Sequence, residues 1–187
     1  MIIFITGGAR SGKSNKAEEI AKKYGQNVLY VATAKAFDSG MKDRIKKHKE
    51  RRPKEWGTKE IYKNFIELEK DEEFLKSDII LFDCLTLMVT NLMLDVDENY
   101  DEISMDRVNE IEKTIRNEVS DLIALINKYN KKMICVSNEV GMGLVPAYMM
   151  GNIFRDIAGR MNQLMAKESD NVIFMVSGLP INVKGEI

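Results

Sequence analysis

Residues 2–14 read Ile2-Ile3-Phe4-Ile5-Thr6-Gly7-Gly8-Ala9-Arg10-Ser11-Gly12-Lys13-Ser14. A short unbroken apolar run leads into a glycine-rich turn, and from Lys13 to Lys23 the charged and apolar residues take up helical spacing. Gly7, Gly12, Lys13 and Ser14 satisfy GxxxxGK[ST], in the strand-to-helix setting that this phosphate-binding motif needs. Glycines let successive backbone N–H groups turn inward as an anion nest, and the helix start adds its partial positive charge. Lys13 is expected to reach the terminal phosphates of a nucleotide and Ser14 a Mg²⁺ ion.

Outward from this turn the same alternation continues. Val28–Thr33, Ile79–Phe82, Met133–Ser137 and Val172–Ser177 are short, continuously apolar runs, as strands covered on both faces are. Between them the spacing predicts helices over Asp38–Lys49, Lys63–Lys76, Leu85–Leu94, Glu102–Tyr129 and Ala147–Lys167. The clearest is Glu102–Tyr129, where Met105, Val108, Ile111, Ile115, Val119, Leu122 and Ile126 step by three or four. The expectation is an α/β fold with a mostly parallel central sheet flanked by helices. A single domain over 1–187 is expected, with an inserted, mostly exposed charged segment at about 34–62 whose one strand signal is Thr58–Tyr62.

Composition removes several classes of function. The chain has 187 residues, 28 Lys+Arg against 29 Asp+Glu and a net charge of −1, so no global field draws it to nucleic acid or to an anionic membrane. No apolar run approaches the ~18 residues of a membrane span, and nothing resembles a secretory leader; a cytoplasmic protein is expected. Cys84 and Cys135 lie within apolar runs and read as buried core thiols. With one histidine in the chain, no Cys/His zinc set can be completed.

Two further positions carry chemistry. Asp83 closes the strand Ile79–Phe82, where an acid needs a cation or donors; it is expected as the second Mg²⁺ partner, the alternative being an N-cap for the helix from Leu85. His48, the sole histidine, sits where eight basic residues between Lys42 and Lys54 face only Asp43 and Glu50. Met41, Ile45 and His48 share one helical face, which turns the imidazole inward and the lysines outward. Residues alone leave three readings open there: a solvated basic helix, a nucleic-acid patch, or a triphosphate-binding wall around a neutral imidazole nucleophile. Only Trp56 lies near as a stacking aromatic.

Taken together, TGGARSGKS (Thr6–Ser14), HKERRPKEW (His48–Trp56) with Glu60, Asp83-Cys84-Leu85-Thr86 with Thr90-Asn91-Leu92, NEVGMGLVP (Asn138–Pro146) and FRDIAGRMNQ (Phe154–Gln163) resemble a known family. It is the bifunctional adenosylcobinamide kinase / adenosylcobinamide-phosphate guanylyltransferase family of cobalamin biosynthesis. The resemblance implies a P-loop NTPase fold of the RecA-like kind and a homotrimer. It implies phosphorylation of adenosylcobinamide by ATP or GTP with Mg²⁺. A histidine then takes GMP from GTP and passes it to adenosylcobinamide phosphate, giving adenosylcobinamide-GDP. By motif position the guanylylated histidine is His48, with Lys13 as the second catalytic group. The implied nucleotide contacts are Gly7, Gly8, Ala9, Arg10, Ser11, Gly12, Lys13 and Ser14, then Ala32, Thr33 and Ala34, then Lys49, Glu50, Arg51 and Arg52, with Glu60 and Asp83; Ser14 and Asp83 are the metal positions.

Three other functions compete. A small-molecule kinase without guanylyl transfer would leave His48 structural. A nucleic-acid-dependent ATPase would use the basic patch, and a nucleotide-gated interaction protein would need only slow hydrolysis. The inward histidine and the scarcity of stacking aromatics favour the enzyme readings, with no nucleic-acid partner and no membrane.

Overall fold

The computed structural model describes residues 1–35 and 53–186. In its sheet, β1 (Ile2–Gly7) lies between β5 (Lys132–Val136) and β6 (Asn171–Val176). Beyond β5 lie β4 (Ile79–Asp83), β2 (Val28–Ala32) and β3 (Gly57–Glu60); beyond β6 lies β7 (Leu179–Lys184). The seven strands run in the order β3-β2-β4-β5-β1-β6-β7. Every pair is parallel except β6–β7. One strand, β5, separates the strand that enters the phosphate loop from the strand that ends in Asp83.

The unbroken apolar runs follow from burial on both faces. Ile2, Phe4, Leu29, Val31, Ile80, Phe82, Met133 and Cys135 point to one side. There they meet α3 (Leu85–Leu94), α4 (Met105–Lys128) and α5 (Met149–Glu168). Their alternates Ile3, Ile5, Val28, Tyr30, Ile79, Leu81, Ile134 and Val136 point to the other side, against Ala17, Ile20 and Ala21 of α1 (Lys13–Tyr24) and against Trp56. The period of two along each strand thus builds two cores from one sheet. In α4 the apolar stripe is buried from Val108 to Ile126, while Met105 in the first turn is exposed, and the Ser104 hydroxyl caps the helix by accepting from Arg107 N. Arg160 of α5 grips Glu112 of α4 with two hydrogen bonds of 2.6 and 2.8 Å.

Several expectations are corrected. The helix expected over Lys63–Lys76 is a 3-10 helix (Phe65–Lys70) followed by a short α2 (Glu72–Lys76). Asp71 breaks it, because its carboxylate accepts from Phe74 N and restarts the helix. The last helix starts at Met149 rather than Ala147. Within the charged segment, the strand signal at Thr58–Tyr62 falls on β3 (Gly57–Glu60), which pairs with β2, and Trp56 is buried. The helix expected over Asp38–Lys49 lies outside the described residues. The antiparallel β7, fully exposed, was not expected; Ser177 and Gly178, with φ of 50° and 87°, turn the chain back from β6. Among the described residues no helix is long and apolar enough to cross a membrane.

Candidate active site

Parallel pairing brings the carboxyl ends of β1, β2, β3, β4 and β5 to one edge of the sheet, and the loops that leave them form the site. Gly7 ends β1 with φ 153°; a Cβ there would lie 2.4 Å from the Met175 carbonyl oxygen of β6, so only glycine fits. Gly12, at φ 93°, is the N-cap of α1 and offers no side chain to its N–H groups, and the first turn holds no acid. The helix start is therefore left to an anion. Lys13 is buried, its ammonium donating to Gly8 O at 2.6 Å and to Ser11 Oγ at 3.5 Å, so the charge is held over the loop. The β6–β7 turn forms a wall of this loop: Gly178 N donates to Ser11 O at 3.0 Å.

Asp83 is at the end of β4, paired with Ala32, which in turn pairs with Glu60. The carboxylate does not cap α3; Cys84 holds that position without a side-chain bond. Asp83 Oδ2 instead accepts from Tyr30 Oη at 2.5 Å and from Ser14 Oγ at 3.3 Å. A hydroxyl and a carboxylate this close, beside a phosphate-binding loop, are the hard oxygen donors that suit Mg²⁺ when phosphates supply the remaining ligands. Among the described residues no group of three or more His, Cys, Asp or Glu could hold a metal by itself.

Thr33 holds the loop after β4. Its N–H donates to Asp83 O at 3.1 Å, its carbonyl accepts from Asn91 Nδ2 at 2.6 Å, and its hydroxyl both donates to Cys84 O and accepts from Cys84 N. Its polar groups are thus committed to holding the loop after β4, and its side chain is turned away from solvent. From there the bonds continue inward. Thr86 Oγ1 lies 3.3 Å from Cys84 Sγ and accepts from Asn138 Nδ2 at 2.9 Å. Asn162 Nδ2 of α5 donates to Asn138 O at 3.0 Å and its Oδ1 accepts from Ser137 Oγ at 2.6 Å. Glu139 N donates to Gly7 O at 2.9 Å, which sets the segment after β5 against the phosphate loop. Burial pushes the Cys84 thiol up to about 11 and the Cys135 thiol well above its ordinary value, so both are core thiols rather than nucleophiles.

Of the expected positions, Gly7 to Ser14, Ala32 to Ala34, Glu60 and Asp83 gather at this edge, with Gly8, Ala9 and Arg10 exposed along the loop. His48, Lys49, Glu50, Arg51 and Arg52 lie outside the described residues. The described flanks of that segment are tied together: Lys35, Lys63 and Tyr62 all donate to the Asp95 carboxylate. Burial pushes the Asp95 carboxyl up, but the bonds from Lys63, Lys35 and Tyr62 outweigh it and hold the group down at about 2. Tyr30 was missed, because a tyrosine inside an apolar strand reads as core. Its hydroxyl was the available signal, since a buried phenol needs a partner.

Comparison with known proteins agrees in extent along the chain. The family model described as "Cobinamide kinase / cobinamide phosphate guanyltransferase" matches residues 3–183. The bifunctional adenosylcobalamin biosynthesis protein CobU of Escherichia coli (strain K12) is 40% identical over 184 residues, covering 98% of this chain and 100% of that protein. Its namesake from Salmonella typhimurium is 41% identical with the same coverage. CobP of Pseudomonas aeruginosa, named likewise, is 37% identical over 97% of this chain and 96% of its own. Among solved structures, a KaiC-like protein from Pyrococcus horikoshii OT3 aligns with a TM-score of 0.47 and 14% identity, over 92% of this chain and 69% of that one.

Proposed function

This chain belongs to the cobinamide kinase / cobinamide phosphate guanyltransferase family, and from that premise we propose that it carries out both reactions at the carboxyl edge of its sheet. The observation that carries the reading is the phosphate loop, closed over by buried Lys13, with Ser14 and Asp83 within 3.3 Å of each other at its mouth. In the first reaction the substrate hydroxyl of adenosylcobinamide attacks the γ-phosphorus of ATP or GTP. The bond to the bridging oxygen breaks, a nucleoside diphosphate leaves, and the hydroxyl proton passes to solvent or a nearby base. The loop N–H groups hold the phosphates, and the Lys13 ammonium follows the charge that builds on the transferred group. Mg²⁺, held by Ser14 and Asp83, would neutralise phosphate charge when bound.

In the second reaction an imidazole nitrogen of His48 attacks the α-phosphorus of GTP and pyrophosphate leaves. A phosphate oxygen of adenosylcobinamide phosphate then attacks the same phosphorus, the N–P bond breaks, and adenosylcobinamide-GDP departs. A phosphoramidate is reactive enough for this relay, so one displacement is split into two. Lys49, Arg51 and Arg52 supply cations for the phosphates and Glu50 and Glu60 complete the nucleotide surroundings. Ala32, Ala34 and the loop residues Gly8, Ala9, Arg10 and Ser11 approach the nucleotide by backbone.

The remaining parts of the proposal are a single domain, a cytoplasmic site of action without a nucleic-acid or membrane partner, and a homotrimer. The exposed Leu179, Ile181 and Val183 of β7 support self-association. Light scattering of the purified protein measures the assembly; a monomer at micromolar concentration refutes it. The chemistry is tested with labelled GTP. The α-phosphate label is expected to stay on the protein as an acid-labile, alkali-stable adduct, whereas the γ-label leaves with pyrophosphate. His48→Asn is expected to lose the adduct and keep the kinase step. An α-label retained in that variant places the nucleophile elsewhere.

A further inference from the structure

Tyr30 lies in the middle of β2, 2% exposed, among Ile3, Ile5, Leu81 and the α1 residues Ala17 and Ile20. In such surroundings a phenylalanine would serve packing equally well, and the hydroxyl must be satisfied. The register explains where it goes. Tyr30 pairs with Leu81 and Ala32 with Asp83, so Tyr30 and Asp83 stand on the same face of neighbouring strands, offset by two residues toward the carboxyl edge. The phenol spans that offset and reaches Asp83 Oδ2 at 2.5 Å.

We infer that Tyr30 is a positioning residue for the Asp83 carboxylate. It anchors Oδ2 from the core side, so that Oδ1 is offered to a cation at the mouth of the phosphate loop. The inference deepens the proposed phosphate-loop reading and rests on it. Its physical basis is the geometry of the two donors to Oδ2. Ser14 Oγ, at 3.3 Å, makes the longer bond and belongs to the residue that would itself turn to a cation. Tyr30 makes the shorter one, from the middle of a strand paired on both sides. When Ser14 turns away, the phenol is the contact that keeps the carboxylate from swinging, which spares the ordering cost of fixing a free side chain on binding. A charge-assisted O–H···O⁻ bond of this length is the strong kind.

The test uses the full-length protein and a non-hydrolysable triphosphate analogue, with affinity measured calorimetrically in excess Mg²⁺ and in excess EDTA. The readout is the ratio of the two affinities, which a purely structural change would not move. Tyr30→Phe keeps the ring and the packing and removes only the oxygen. It is expected to leave the EDTA affinity as in the wild type and to lower the Mg²⁺-linked gain about three- to tenfold, the range of one hydrogen bond. Mn²⁺ binding followed by electron paramagnetic resonance should weaken in parallel. Asp83→Asn is run beside it. If Asp83→Asn lowers the Mg²⁺-linked gain and Tyr30→Phe does not, the positioning role is wrong while the metal reading stands. If Asp83→Asn leaves the gain unchanged, the metal reading itself fails and the inference falls with it. In Tyr30→Phe/Asp83→Asn the two losses should not add, because Tyr30 acts through Asp83; full additivity overturns the inference.

Discussion

Replacing Thr33 by valine removes a hydroxyl without changing the shape of the side chain, at a site 1% exposed to solvent. That hydroxyl makes two hydrogen bonds to one residue, donating to Cys84 O at 2.7 Å and accepting from Cys84 N at 2.8 Å. Valine leaves the buried Cys84 N–H without this acceptor, at a cost of about 1–3 kcal/mol for the orphaned donor. The carbonyl, with two lone pairs, tolerates the loss better and adds about 0.5 kcal/mol. The sum, about 1.5–3.5 kcal/mol, lowers the melting temperature of a chain of this size by roughly 3–14 °C. Thr33→Ser keeps both bonds and loses one methyl, worth about 1 kcal/mol or less. The assay is urea unfolding followed by circular dichroism, with the slope checked so that a change in midpoint reports stability. A Thr33→Val protein within about 0.5 kcal/mol of wild type, or a serine variant as damaged as the valine one, would refute the argument that these bonds carry the stability of the edge.

Lys13→Ala should lower the kinase turnover by about 10²–10³-fold or more, because it removes a preorganised charge from the transferred phosphate; turnover near wild type with Mg·ATP or Mg·GTP rules the loop out as the catalytic element. The Asp95 carboxyl is held at about 2 against an ordinary 3.8, so its bonds to Lys35, Lys63 and Tyr62 contribute stability that is fully present above pH 4 and lost as pH falls toward 2. Asp95→Asn should therefore flatten the acid limb of the stability curve in that window, and an unchanged limb in pH-dependent unfolding contradicts the assignment. Oligonucleotides should bind weakly and leave NTPase turnover unchanged; binding that falls steeply with salt together with manyfold stimulation would favour a nucleic-acid-dependent ATPase.

Most of the parallel sheet was legible because its strands are buried on both faces and their apolar runs are unbroken, as in Ile79-Ile80-Leu81-Phe82. The phosphate loop was legible because backbone geometry demands glycine at fixed places, Gly7 and Gly12 above all. β7 escaped because Leu179-Pro180-Ile181-Asn182-Val183-Lys184 is exposed throughout and carries a proline, which argues against an ordinary strand. Its place on the sheet edge resolves the conflict, and the Ser177-Gly178 turn was the overlooked sign. The break at Asp71 was hidden because the helical spacing of Lys63–Lys76 continues through it, and a capping aspartate reads the same as a surface one. At the candidate site, residue type singled out Lys13, Ser14 and Asp83 as expectations, whereas the bond from Tyr30 to Asp83 and those between Thr33 and Cys84 depend on how β2 sits beside β4, which no local window contains.

The tip of a surface hairpin is ordinarily where a protein accepts foreign sequence most readily. The turn between β6 and β7 breaks that custom, because Gly178 N–H is bonded to the Ser11 carbonyl and its Cα would lie 3.4 Å from a Cβ placed on Gly12. A protein engineer who chose this tip for a tag or a circular permutation would be editing the wall of the nucleotide cradle. Tolerance maps built from exposure alone should therefore fail at positions 177–178, where an insertion is felt on the far side of a backbone hydrogen bond.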